Sequence, residues 1–82
     1  MNAVSLCNEK EQLVLALWAC SQSIKESARQ LKISERTVDY YRGRLKCRFG
    51  VHSSNELIRK IIMMDEYESL IRLGRNLLIV NS

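Results

Sequence analysis

Nine carboxylates, one histidine and three cysteines are the side chains of this 82-residue chain that could carry acid–base, nucleophilic or metal chemistry. His52 stands alone, so neither a histidine-centred triad nor a zinc ligand set can be built around it. Cys7, Cys20 and Cys47 form an odd set without a C-x-x-C pair, the pattern of reduced thiols in a cytoplasmic protein. Cys47 lies among cations, so a redox switch is the one reaction the cysteines suggest. The glycines Gly43, Gly50 and Gly74 make no phosphate-cradling loop, and most of the acids fall at helix starts. The expectation is a protein that is not an enzyme, with no cofactor, no metal and no small-molecule ligand.

The cations are more informative. Thirteen Lys and Arg against nine Asp and Glu give a net charge of +4. Residues 25–60 hold ten of the cations (among them Lys25, Arg29, Arg36, Arg44, Lys46 and Arg48) and only four acids, while each flank is slightly acidic. A concentrated basic segment is the footprint of a polyanionic partner, here double-stranded DNA.

The elements that must position these groups are marked by their caps. Asn8 precedes Glu11 by three residues, Ser23 precedes Glu26, and Ser53 precedes Glu56. Each pair fits a capping box, in which the cap side chain takes an amide hydrogen of the first turn and the glutamate bonds back. Ser34 can cap a further helix, and Asp65 with Glu68 repeats the spacing once more. Absence of proline and the apolar periodicity then predict helices over about 9–20, 24–31, 35–48 and 54–63 in an all-α domain. Gly50 suits a left-handed terminator for the third. Only Lys32 and Ile33 separate the second helix from the Ser34 cap. Two helices joined so tightly cross steeply, the geometry of a helix-turn-helix whose second member enters the major groove.

In the third helix Val38, Tyr41, Leu45 and Phe49 recur on one side. Helical geometry then turns Arg36, Asp39, Tyr40, Gly43 and Arg44 to solvent, with Arg42, Lys46 and Arg48 flanking them. A groove-entering helix needs this division between an apolar anchor, an outer stripe for base edges and flanking cations for phosphates.

The stretch Lys10-Glu11, Val14-Leu15, Leu17, Ala19, Ser23, Lys25-Glu26, Ala28, Leu31, Ile33-Ser34, Thr37-Val38, Leu45, Gly50-Val51, Ser53 and Glu56-Leu57 resembles the LuxR-type helix-turn-helix of the GerE and NarL/FixJ effector domains. The resemblance covers about two-thirds of the chain, and it implies a four-helix DNA-binding domain whose fourth helix commonly supports dimerisation. By position it implies a backbone contact for Thr37, a phosphate contact for Lys25 and base-facing places for Asp39, Tyr40 and Gly43. The chain departs from the pattern with Ser21 where a glycine usually ends helix one, Ser27 at an apolar place and Tyr41 at a histidine. Asp39 and Gly43 are also unusual base readers, so sequence-specific reading would either rest on Arg36, Tyr40 and Arg44 or be weak.

Residues 1–62 are thus expected to form the helix-turn-helix domain and residues 63–82 a helical extension. Leu57, Ile61, Met64, Tyr67, Leu70, Ile71, Leu77 and Leu78 are candidate dimerisation residues. The extension either continues the fourth helix with a second apolar face or folds back to complete the core, and the run from Leu77 ends as helix or strand. No apolar run approaches a bilayer's span, and no secretion leader is evident, so a cytoplasmic transcription regulator acting as a homodimer or with a partner regulator is expected. The competing readings are a helix-turn-helix relative that binds another regulator instead of DNA, and a domain like region four of sigma factors, which does not account for Gly50-Val51-x-Ser53.

Overall fold

The computed structural model describes residues 7–81; residues 1–6 and 82, which the two expected segments include, lie outside the described residues. The chain folds into α1 (Glu9–Ala19), α2 (Ile24–Leu31), α3 (Glu35–Phe49), α4 (Ser54–Ile62) and α5 (Tyr67–Asn81), with no strand among the described residues. No described helix is long and apolar enough to cross a membrane.

Each of the first four helices begins at the expected cap. Asn8 Oδ1 accepts from the Glu11 amide at 2.8 Å, and the Asn8 amide donates to Glu11 Oε1 at 3.0 Å. Ser23 and Glu26 form the same reciprocal pair. Ser34 Oγ accepts from the Thr37 amide. At α4 only half of the expected box forms: Ser53 Oγ accepts from the Glu56 amide, but the Glu56 carboxylate meets the Ser53 hydroxyl instead of its backbone. α5 begins at Tyr67, later than a cap at Asp65 would start it.

The ends of α1, α2 and α3 share one device. Ser21, Lys32 and Gly50 all take the left-handed conformation, with φ of 66°, 57° and 67°. Behind each, the next amide reaches back five residues: Gln22 to the Leu17 carbonyl, Ile33 to Ala28 and Val51 to Lys46, at 3.0, 3.1 and 3.0 Å. These are Schellman endings, which satisfy carbonyls the helix leaves unpaired. Only Gly50 adopts the conformation without a side-chain penalty. The ending at Lys32 also makes the tight turn between α2 and α3, where Leu31 and Ile33 are half-buried against the core as expected.

The core gathers Val14, Leu15, Ala16 and Trp18 of α1 with Ala28, Val38, Leu45, Phe49, Leu57, Ile61 and Leu70. Leu57 and Ile61 are wholly enclosed and Leu70 is 4% exposed, so these three expected dimerisation residues are buried in the chain's own interior. Apolar spacing marks a buried face but does not say which body buries it. Met64 and Tyr67 are half-buried against the same core.

The chain turns between Met63 and Glu66, and α5 folds back on α1 instead of prolonging α4. The run from Leu77 is helical to Asn81. Gly74 explains the close docking: a Cβ there would lie 2.5 Å from Cys20 Sγ and 2.7 Å from the Ala16 carbonyl oxygen. Only a bare α-carbon allows that approach.

Candidate nucleic-acid interface

α3 is held by its inner face and bare along its outer one. Val38, Leu45 and Phe49 are buried and Tyr41 is half-buried, as the periodicity predicts. Arg36, Asp39, Tyr40 and Arg44 are exposed, Tyr40 by 58%. Gly43 lies between them, with open space where a side chain would stand. Asp39, Tyr40, Gly43, Arg44, Cys47 and Arg48 line a shallow depression on this surface.

A buried carboxylate secures the helix from behind. Glu11 Oε2 accepts from Arg48 Nε at 3.0 Å and from Arg44 Nε at 3.3 Å, while Oε1 completes the Asn8 cap. Glu11 has no exposed surface. Burial by itself would raise its pKa, but the Asn8 amide and the two guanidiniums outweigh that and hold the carboxyl below its ordinary range. One side chain thus caps α1 and joins it to two turns of α3. The spacing from Asn8 identifies the cap; the arginines, 33 and 37 residues away in sequence, carry no local signal.

The arginines are not buried by this. Their side chains remain 44% and 32% exposed for Arg44 and Arg48, so each is anchored through Nε and still reaches solvent. Arg44 Nη1 also donates to the Tyr40 hydroxyl at 3.2 Å, and with Glu11 this bond raises the guanidinium's hold on its proton. Tyr40 in turn packs edge-on to Tyr41, with ring centroids 5.7 Å apart. The three expected base readers are therefore all present on one face, two of them in fixed mutual geometry.

The other expected contacts are distributed around this face. Lys25 is exposed at the start of α2, and Lys46 is half-buried in the last turn of α3. The Thr37 hydroxyl is 2.8 Å from the Ser34 hydroxyl within the cap. Arg42 does not flank the outer surface. Its guanidinium lies 4.3 Å over the Trp18 ring and Nη2 donates to the Gln22 carbonyl at 2.8 Å, tying α3 to the end of α1. Burial lowers its pKa, with partial opposition from Asp39. The sequence places Arg42 between two faces, and the nearby indole decides which one it joins.

Among the described residues no group of three His, Cys, Asp or Glu side chains could hold a metal ion. The geometry is that of a helix-turn-helix, and a family model described as "Bacterial regulatory proteins, luxR family" matches residues 6–61. The chain belongs to the LuxR family. No curated protein and no solved structure matches it. The matched segment covers α1 to α3, all but the last residue of α4 and the outward face of α3, and it stops before α5. Membership identifies the chain as a regulator carrying a DNA-binding helix-turn-helix.

Proposed function

We propose that this LuxR-family chain regulates transcription in the cytoplasm by laying α3 in the major groove of double-stranded DNA, as a pair of copies. A single observation carries the reading: α3 is fixed from behind by Val38, Leu45, Phe49 and the Glu11 carboxylate while Arg36, Tyr40 and Arg44 stand in solvent ahead of it. A major groove roughly 12 Å wide accepts one helix. Arg36 and Arg44 are suited to the paired acceptors of guanine, and Asp39 to the cytosine amino group. Lys25, Thr37, Lys46 and Arg48 serve phosphates and set the register. Gly43 lets the backbone come close to the base edges.

Selection of bound sites from random duplexes, followed by affinity measurement over a range of salt, tests this. A two-fold repeat with half-sites roughly 34–36 Å apart is expected, with affinity falling steeply as salt rises. Binding that ignores salt, or that survives loss of both Arg36 and Tyr40, contradicts the reading. Tight binding of another regulator by a chain that ignores DNA would favour the interaction module instead.

A further inference from the structure

α5 carries a second, outward stripe that its own core does not use. Glu68, Ile71, Arg72, Arg75, Leu78 and Ile79 recur three and four residues apart, the spacing of one helix face. The opposite side of the helix holds Leu70 and Gly74 against α1. Glu68, Arg72, Arg75 and Ile79 are exposed, Ile79 by 71%, and Ile71 and Leu78 are half-buried at the edge. Together with the end of α1 around Cys20, the stripe borders a groove of about 830 Å³. Among the described residues Glu68, Arg72 and Arg75 form no ion pair.

We infer that this face of α5 is the surface on which a second copy of the chain docks, with the two α5 helices antiparallel. The charges select that occupant. The stripe has its acid at one end, with Arg72 one turn and Arg75 two turns later, so an antiparallel copy related by a two-fold axis midway between Glu68 and Arg75 sets Glu68 of each chain opposite Arg75 of the other. Arg72 then lies within reach of the same carboxylate. A parallel copy would set like charge against like. Between the charged pairs Ile71 supplies apolar contact near the axis, with Leu78 and Ile79 outside the pairs, and the groove beside α1 gives the partner helix its seat. A two-fold axis requires this self-complementarity. α3 and α5 both pack on α1 but scarcely touch each other, so pairing through α5 leaves both recognition helices open. The inference rests on the proposed pairing of copies and not on which DNA they bind.

Sedimentation equilibrium of the full chain and of two charge variants tests it without DNA. The unmodified chain is expected to form a dimer. Glu68→Arg and Arg75→Glu are each expected to weaken self-association by roughly tenfold or more, because each sets like charges in register. Mixing the two variants is expected to restore a one-to-one dimer, since one then presents only cations where the other presents carboxylates. The double variant Glu68→Arg/Arg75→Glu should pair with itself, which separates lost complementarity from lost folding. A chain that stays monomeric at its highest soluble concentration, single variants that dimerise as the parent does, or a mixture that fails to associate overturns the inference. A dimer of the expected kind that ignores DNA leaves this surface standing and removes the proposed function instead.

Discussion

The Glu11 carboxylate, in the first turn of α1, stands 3.0 Å from Arg48 Nε near the end of α3. Because Glu11 is fully buried and Arg48 only partly so, the bond fixes the position of α3 without removing the cation from the surface. Glu11→Gln keeps the shape of the cap but loses the charge that both arginines use. It is expected to cost about 1–3 kcal/mol of stability, read by thermal or urea unfolding. Unchanged stability would mean that the contact does not hold α1 to α3.

The same group gives acid sensitivity with a definite sign. Its pKa is lowered on folding, so the folded state binds its proton less readily than the unfolded state. The stability it confers is therefore present above the ordinary glutamate pKa and is lost as pH falls through the lower, folded value. The parent should lose stability towards acid more steeply than Glu11→Gln. Parallel stability curves for the two in the acid range would contradict this.

Gly74 and Gly43 make a matched pair of opposite sign. At Gly74 a methyl group would press on the Ala16 carbonyl, so Gly74→Ala is expected to destabilise by about 1–3 kcal/mol and loosen α5. At Gly43, in the middle of α3, a methyl meets nothing within 4 Å, so Gly43→Ala should stabilise by about 0.5–1 kcal/mol. Hydrogen exchange in α5 distinguishes the first from a general loss of stability. A Gly74→Ala chain as stable as the parent would show that α5 does not dock as described.

Ser27 is fully buried and its hydroxyl has no hydrogen-bond partner among the described residues. Removing a buried hydroxyl that bonds to nothing relieves a desolvation cost. Ser27→Ala should therefore raise stability by about 1 kcal/mol, a rise in Tm of roughly 4–8 °C for a domain of this size. A fall in Tm would mean that the hydroxyl is satisfied in solution.

Much of this architecture could be read locally. Asn8, Ser23, Ser34 and Ser53 announce their helices because a cap acts within three residues, and Lys32-Ile33 leaves room for only one kind of turn. The outward face of α3 follows from where Val38, Leu45 and Phe49 point. What escaped local reading depends on contacts between distant parts of the chain. Leu57, Ile61 and Leu70 have the spacing of an interface and are enclosed by α1 and its neighbours. Arg42 turns inward because Trp18 waits there. Glu11 reads as a cap from its spacing, and only the packed helices show its second role.

The most direct test of the central claim is duplex affinity as a function of salt for the parent and for Arg36→Ala and Tyr40→Ala. Both residues stand on the outward face of α3, and neither bonds to Glu11, Tyr40 meeting the clamp only through Arg44. The parent should show a linear fall of log affinity with log salt, at a slope of roughly 0.9 per phosphate contact. Both substitutions should weaken binding to a selected site while leaving the unfolding transition in place. Full affinity in both variants would show that α3 does not meet DNA by this face.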